Sequence, residues 1–341
     1  MSASPDATWL QACRAAALLA LDPAGTGVVL RARPGPVREA WLDRLRALLP
    51  AGAPVTRLPA GIADDALLGG LDLPATLRTG RPVAQAGLLA RSDGGVVLVP
   101  MAERLAPGTA ARIAQGLDAG AVEVARDGVA TRCPARFGLV LLDEGEGDDE
   151  AVPAGLADRI ALHLDLDAVP VGALTAALPL RDLAAARAAD PDTPPDASET
   201  LCALATRLGI ASLRAPLLAL RVARLHAALE GRAVGEADLA AAAALVLAPR
   251  ARAWPQEEEQ DERTGEDAPP AEEAEGDDDR HEGRQEGEDR LLAAVAASLP
   301  PGLLARVLAG DGPRIRSAGA GRAGAVAAAP RGRPVGARPG D

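Results

Sequence analysis

The residues with the clearest chemical potential lie in a loop around Gly35. The apolar run Val28–Leu30 predicts a buried strand before this loop, and a helical pattern begins at Val37. Such a loop binds phosphate when it reads Gly-x-x-x-x-Gly-Lys-Ser/Thr, because backbone N–H groups and the lysine hold phosphate and the hydroxyl holds magnesium. Here Gly35 matches the second glycine, Pro36 replaces the lysine and Val37 replaces the hydroxyl. The loop is therefore predicted to be a degenerate, non-functional Walker A motif.

A second stretch, Val96–Val99, predicts another buried strand and has the position of a Walker B strand. A working Walker B strand ends in acidic residues that hold magnesium and polarise water. Pro100 and Met101 occupy those places, and neither side chain can do this. The strand Phe137–Leu142 likewise ends without a sensor asparagine. We therefore predict negligible ATPase activity, weak or no nucleotide binding by this chain itself, and no metal site.

Arginines flank the degenerate loop. Arg31, Arg33 and Arg38 would attract a nucleotide phosphate, but an Arg-rich loop in solvent explains them as well, and we favour that interpretation. All 36 basic residues of the chain are arginine, so no reaction step can use a lysine ammonium group.

Composition argues against several classes of protein. The cysteines and histidines lie far apart, without the paired spacing of a zinc site or a disulfide framework: Cys13, Cys133, Cys202, His163, His226 and His281. One Phe, three Trp and no Tyr leave few rings for stacking bases, so no nucleic-acid partner is expected. No apolar run of about 18 residues occurs, so we expect no transmembrane segment and a cytoplasmic protein.

Short apolar strands alternate with helical patterns up to Val169, which predicts a mostly parallel sheet in an α/β domain. Within it, the stretch Ala121–Cys133 predicts a β-hairpin insertion around Asp127-Gly128. Only helical patterns follow Val169, which predicts an all-helical lid domain. Asp196–Glu199 is predicted to be a capping box that opens one of the lid helices.

The formal charge of −12 is concentrated near the C-terminus, where residues 257–290 contain 17 acidic residues and four arginines. This stretch has no large apolar groups and is predicted to be disordered. The predicted organisation is an α/β domain (1–169), a helical lid (170–254), an acidic disordered linker (255–290), and a short helix with a Gly/Pro/Arg-rich tail (291–341).

Several motifs, in order along residues 8–254, resemble the AAA+ subunits of magnesium chelatase. They include the hairpin, the turn Leu156–Ile160, Ser212-Leu213-Arg214 and Val234–Leu239. The degenerate loop and the acidic stretch resemble the D-type subunit rather than the ATP-hydrolysing I-type subunit. D-type subunits continue into an integrin-type metal-ion domain with an Asp-x-Ser-x-Ser motif, which is not found here. The nearest match, Asp196–Thr200, is interpreted as a helix cap.

The resemblance implies roles for two arginines. Arg159 matches the arginine finger that reaches an ATP bound to a neighbouring subunit, and Arg214 matches the sensor-2 arginine at the start of a lid helix. A guanidinium beside a γ-phosphate can stabilise the transition state in trans. The alternative for Arg159 is a plain ion pair with Asp158 or Asp165.

The resemblance further implies a platform subunit in a ring with the I subunit, which would bind ATP and Mg²⁺, and with the porphyrin-binding H subunit. The implied reaction is ATP-dependent insertion of Mg²⁺ into protoporphyrin IX on the way to (bacterio)chlorophyll. An alternative is an inactive MoxR-like AAA+ adaptor that helps to assemble another metalloprotein. A nucleic-acid remodeller is a third, weaker hypothesis.

Overall fold

A computed structural model of the chain describes residues 4–59, 61–126, 128–146, 150–176, 182–253, 287, 289–293 and 295. The strands are β1 (Val28–Arg31), β2 (Val55–Arg57), β3 (Gly69–Leu71), β4 (Ala84–Ala86), β5 (Val96–Val99), β6 (Ala121–Arg126), β7 (Val129–Pro134), β8 (Gly138–Asp143) and β9 (Leu162–Asp165). The helices are α1 (Pro5–Leu21), α2 (Pro36–Leu48), α3 (Asp64–Leu68), α4 (Leu73–Thr79), α5 (Leu88–Arg91), α6 (Pro107–Ala119), α7 (Ala154–Ala157), α8 (Leu183–Ala188), α9 (Ala197–Arg207), α10 (Arg214–Glu230) and α11 (Glu236–Ala242).

Five strands form one parallel sheet in the order β2-β5-β8-β1-β9, which confirms the predicted α/β class. Runs of Val and Leu form the central strands because parallel sheets are buried on both faces. Alternate residues of each strand enter different cores: Val28 and Leu30 face one, and Val29 faces the other.

The two cores contain different helices. One lies between the sheet, α1, α2 and the later helices, and the other is closed by α3, α5, α6 and α7. Trp41 donates a hydrogen bond of 2.8 Å from its indole N–H to the carbonyl of Ala12, which joins α2 to α1 inside the first core.

The predicted hairpin is confirmed: β6 and β7 pair antiparallel, with Gly128 at a φ of 75° in the turn and Asp127 outside the described residues. A second small hairpin, β3-β4, has no counterpart in the sequence-based prediction. Gly69 opens it with a φ of 108°, and an added Cβ would lie 2.5 Å from the carbonyl oxygen of Gln85. Only glycine therefore fits this close approach of two strands.

The later helices are α8 to α11, and the prediction of a capping box at Asp196 is wrong. Helix α9 begins at Ala197, while Asp196 has a helical backbone and its side chain makes no capping hydrogen bond. A different residue, Asp238, caps α11: it is fully buried and accepts from the backbone N–H of Gly235 at 2.8 Å and from His226 at 2.6 Å. Arg232 completes this network with a further bond to Asp238.

The sequence has a continuous helical pattern from Glu236 to Ala248, but the structure divides this stretch. Helix α11 is followed by a π-helical turn at Ala243–Leu247 and a 3₁₀ turn at Ala248–Arg250. Pro249 lacks the N–H that a regular α-helix would use here, so the wider and tighter turns replace it.

Near the C-terminus, residues 287, 289–293 and 295 are helical, and we refer to them as the C-terminal helical segment. Leu291, Leu292 and Val295 are buried in the first core. The remainder of the predicted helix 291–308, most of the predicted acidic linker and the tail lie outside the described residues. In the part of the chain that is described, no helix has the length and apolar character needed to span a membrane.

Candidate functional site

The loop after β1 differs from a phosphate-binding loop at its glycine and at the start of the helix that follows. Gly35 has a φ of 166°, an extended conformation that any residue adopts. An added Cβ would meet only the carbonyl oxygen of Arg33, at 3.9 Å, so glycine is not needed here for close approach of a ligand. Pro36 begins α2 and has no N–H to offer, and Val37 follows as an apolar residue. Gly35 and Pro36 thus lack the close-approach glycine and the N–H at the start of the helix that a phosphate-binding loop uses.

The three arginines near this loop are held by carboxylates. Arg38 donates to Glu144 Oε1 at 2.6 Å, and its side chain is only 12% exposed. Arg31 donates to the carbonyl of Gly145 at 3.0 Å and lies 3.8 Å from Asp143. Arg33 is 73% exposed and lies 3.6 Å from Asp167. The favoured interpretation of a solvated Arg-rich loop is therefore right for Arg33 and wrong for Arg38, which is buried in an ion pair.

Pro100 and Met101 follow β5, as the sequence predicts. Pro100 is buried, and Met101 is 39% exposed with a φ of 49°. A left-handed backbone is uncommon for a residue other than glycine. The turn that Met101 begins brings Glu103 to the end of β8, where its carboxylate accepts from the backbone N–H of Glu144 at 3.1 Å.

Carboxylates outnumber arginines at this end of the sheet. We use the name β1 edge for the charged residues around the C-terminal end of β1, which is itself an inner strand of the sheet. They are Arg31, Arg33, Arg38, Glu103, Asp143, Glu144, Asp165 and Asp167. Burial raises the pKa of Asp143 and, likewise, the pKa of Asp165 above the usual range of an aspartate. No group of three or more Asp, Glu, His or Cys side chains that could hold a metal ion occurs among the described residues.

Arg159 lies just after the single turn of α7 and before β9, at the opposite end of the parallel strands from the loop after β1. Its Nε donates to both oxygens of Asp118 at 3.0 Å, and one terminal nitrogen donates to Asp118 Oδ2 at 2.6 Å. The other terminal nitrogen donates to the carbonyl of Gly155 at 2.5 Å. The carboxylate that Arg159 binds is thus Asp118 at the end of α6, not Asp158 or Asp165 as the simple ion-pair alternative expects.

Arg214, the first residue of α10, meets the same carboxylate. Its guanidinium lies 3.2 Å from Asp118 Oδ1 and 3.6 Å from Asp158 Oδ2. Ser212 fixes this junction, since its hydroxyl donates to Asp158 at 2.5 Å and accepts from the backbone N–H of Arg214 at 3.2 Å. The structure therefore brings together the two arginines singled out by the sequence, 55 positions apart.

We refer to Asp118, Asp158, Arg159, Ser212 and Arg214 as the Asp118 cluster. The hydrogen bond from Arg159 lowers the pKa of Asp118, and the same bond raises the pKa of Arg159. Arg214 is 48% exposed, so the cluster is open to solvent. An open groove of about 530 Å³ beside it is also lined by Arg221 and Arg224.

Asp118, which accepts hydrogen bonds from both arginines of the cluster, was not predicted from the sequence. An aspartate at the end of an amphipathic helix carries no signal of its own in one sequence. Its role depends on contacts with residues 41 and 96 positions away. Chemically, a guanidinium group forms the same kind of paired hydrogen bonds with a carboxylate as with a phosphate.

The later helices match a known domain family. Residues 198–272 match the AAA lid domain. With the parallel sheet and its helices, this match confirms the predicted AAA+ fold class with a helical lid. The exact domain boundaries remain predictions.

Curated relatives cover most of the chain. It is 42% identical over 352 aligned residues to the magnesium-chelatase 60 kDa subunit of Cereibacter sphaeroides, covering 98% of this chain and 58% of the relative. It is 40% identical to the 60 kDa subunit of Rhodobacter capsulatus, covering 70% of this chain and 40% of the relative. The chain thus spans less than two thirds of the length of these two relatives.

A shorter relative is covered more fully. The chain is 30% identical to the magnesium-chelatase 38 kDa subunit of Cereibacter sphaeroides over 71% of this chain and 80% of the relative. Both kinds of relative thus align with most of this chain. The chain belongs to the family of magnesium-chelatase AAA+ subunits and is of the 60 kDa, D-like type.

Proposed function

We propose that this chain is a non-hydrolysing AAA+ subunit of a magnesium chelatase. In this proposal it binds nucleotide weakly or not at all, and Arg159 acts on ATP and Mg²⁺ bound by a neighbouring AAA+ subunit. The observation that supports the proposal is a contrast between two places: after β1, Gly35 makes no close approach and Pro36 offers no N–H, whereas Arg159 and Arg214 are held together at the carboxylate of Asp118.

Electrostatics support the first half of the proposal. The β1 edge has five carboxylates and three arginines, so the triphosphate of ATP would meet a net negative surface. Pro100 and Met101, directly after β5, offer no acid to hold magnesium there. We therefore expect no turnover by the isolated chain above a buffer blank.

The second half rests on the chemistry of Arg159. A guanidinium forms paired hydrogen bonds with a carboxylate or a phosphate, and the geometry to Asp118 already has this form. When a neighbouring subunit presents a γ-phosphate, Arg159 exchanges Asp118 for it and stabilises the charge that develops during hydrolysis. Arg214, on the same carboxylate, moves with this exchange and couples it to the lid.

The names of the relatives support the wider setting. We propose that the partner that hydrolyses ATP is a subunit of the 38 kDa, I-like type. A large, porphyrin-binding H-like subunit would hold protoporphyrin IX, and Mg²⁺ would be inserted there as a substrate in (bacterio)chlorophyll biosynthesis. This chain would transmit the ATP-driven change from the first partner to the second.

The test mixes the chain with an I-like subunit and measures ATP hydrolysis, then adds an H-like subunit and measures Mg²⁺ insertion. We expect Arg159→Ala to lower kcat by about 10³-fold at the sites this chain serves, the effect usual for arginine fingers. Arg46→Ala is the matched control, because Arg46 is also a surface arginine paired with an aspartate, Asp43, at 2.6 Å.

Equal rates with Arg159→Ala and Arg46→Ala would contradict the proposal. It would also be contradicted by ATP turnover of the isolated chain that disappears when Arg31 or Arg33 is changed, since that result would place a working site at the β1 edge.

A further inference from the structure

A second arginine is buried beneath the turn that carries Arg159. Arg250 is 6% exposed and ends the 3₁₀ turn after α11. Its guanidinium donates to the carbonyl oxygen of Ala161 at 3.2 Å, to that of Ala157 at 3.5 Å, and to that of Ile160. It also donates to Val246 in its own helical stretch, at 2.5 Å. One side chain thus joins the end of the lid to the α7 turn.

The carbonyls that Arg250 binds belong to residues on both sides of Arg159 in the sequence. Ala157 is two residues before Arg159, and Ile160 is the next residue after it. Because α7 is a single turn, its last carbonyls have no partner within the helix. The N–H of Arg159 donates to the carbonyl of Leu156 at 3.0 Å and the N–H of Ile160 donates to that of Ala157 at 3.1 Å, and Arg250 adds side-chain donors at the carbonyls of Ala157, Ile160 and Ala161. The backbone N–H of Ala161 is held by the carbonyl of Thr26 at 2.7 Å. One residue of the lid therefore bonds to the backbone on both sides of Arg159.

The location of Arg250 depends on the irregular end of the lid helix. The π turn at Ala243–Leu247 and the turn containing Pro249 place Arg250 toward the sheet. Burial lowers the pKa of Arg250 to about 10, which shows how strongly its charge is desolvated. A buried cation is tolerated only when its donors are satisfied, so its position tightly determines the carbonyls around it.

We propose that Arg250 is a positioning residue for Arg159: it locks the α7 turn to the end of the lid, so that a change in lid orientation is transmitted to Arg159. The inference deepens the proposed function and rests on it, because it makes the lid a regulator of how Arg159 meets the partner's ATP. Arg250 itself touches no substrate.

The first experiment needs no partner. Hydrogen exchange is measured for the amides of residues 156–161, which are bonded in the folded chain. We expect Arg250→Met to accelerate exchange there at least tenfold, while Arg250→Lys gives a smaller acceleration because it keeps the charge but offers one donor nitrogen. Leu204→Ala is the control for general destabilisation, since Leu204 is fully buried on α9. Arg252→Met controls for loss of an exposed arginine nearby.

The second experiment uses the full chain with the I-like subunit. We expect Arg250→Met to lower the stimulated kcat about tenfold without changing the chain concentration that gives half-maximal stimulation. The double variant with Arg159→Ala should be no slower than Arg159→Ala alone, because both changes act through one group. If Arg250→Met does not fold, Arg250→Gln, which keeps one amide donor, takes its place.

The outcomes separate this inference from the proposed function. Unchanged exchange at residues 156–161 in Arg250→Met, or the same local acceleration in Leu204→Ala, overturns the lock. Accelerated exchange with a normal kcat, in a system where Arg159→Ala is slow, overturns the positioning role. If Arg159→Ala itself has a normal kcat, the proposed function is wrong, and the coupling of Arg250 to hydrolysis falls with it.

Discussion

The β1 edge and the Asp118 cluster both contain arginines near the ends of sheet elements, yet they hold them differently. At the β1 edge, Arg38 is nearly buried and bound to Glu144, so its charge is used within the fold. In the Asp118 cluster, Arg159 and Arg214 share one surface carboxylate. Arg38 therefore serves the fold, whereas Arg159 and Arg214 are held at a carboxylate that is 38% exposed.

The balance of charge strengthens this comparison. The Asp118 cluster has two arginines and two aspartates, whereas the β1 edge has three arginines and five carboxylates. A phosphate that displaces Asp118 gains two guanidinium groups. A phosphate at the β1 edge would have to displace several acids and would leave them unpaired in a partly buried place.

The largest expected effect on stability is at the β1 edge. Arg38→Ala should lower the free energy of unfolding by about 2 kcal/mol, because it leaves Glu144 partly buried without its partner. Urea denaturation measures this change, with Arg46→Ala as the exposed control at about 0.5 kcal/mol or less. If both variants lost the same free energy of unfolding, the ion pair of Arg38 would be no more important to the fold than an exposed one.

A smaller loss is expected for Asp118→Asn, about 1 kcal/mol at pH 7, because the ion pairs it removes are near the surface. The pKa of Asp118 is lowered in the folded chain, so its contribution is complete above about pH 4 and is lost as the pH falls through the folded pKa. Denaturation at several pH values should therefore show wild type and variant converging in acid. A gap that widens in acid would contradict this assignment.

The smallest effect should have the opposite sign. Burial raises the pKa of Asp143, so its negative charge costs stability at neutral pH, and wild type gains stability as the pH falls through the raised pKa. Asp143→Asn keeps an oxygen to accept from the N–H of Gly145 and should raise stability at pH 7 by less than about 1 kcal/mol. A lower melting temperature for this variant would show that attraction to Arg31 outweighs burial.

Much of the fold could be predicted from the sequence, because its signals are local. Runs such as Val96–Val99 and the Asp-Gly turn of the β6-β7 hairpin specify strands through their own residues. The β3-β4 hairpin was missed since Gly69-Gly70 and Ala84-Gln85-Ala86 contain no β-branched residue. The predicted capping box at Asp196 is wrong because Asp196 has a helical backbone, whereas a capping residue normally has a non-helical one.

The candidate site could likewise be predicted only in part. The degenerate motifs and the positions of Arg159 and Arg214 are visible in the sequence, as residue types at family spacing. Their meeting at Asp118, the burial of Arg38 and the bonds of Arg250 depend on long-range packing, which one sequence does not record.

The end of α9 contacts two parts of the chain that are far apart in sequence. The N–H groups of Arg252 and Ala253 donate to the carbonyl of Leu208, and Arg207 pairs with Asp289 of the C-terminal helical segment. The described residues on either side of positions 254–286 therefore both contact the end of α9. Each doubling of the length of a flexible connection costs only about 0.6 kcal/mol, so a change in the number of residues between these two contacts is expected to cost little free energy. The ion pair between Arg207 and Asp289 is therefore expected to persist when residues are added to or removed from the sequence between 253 and 287.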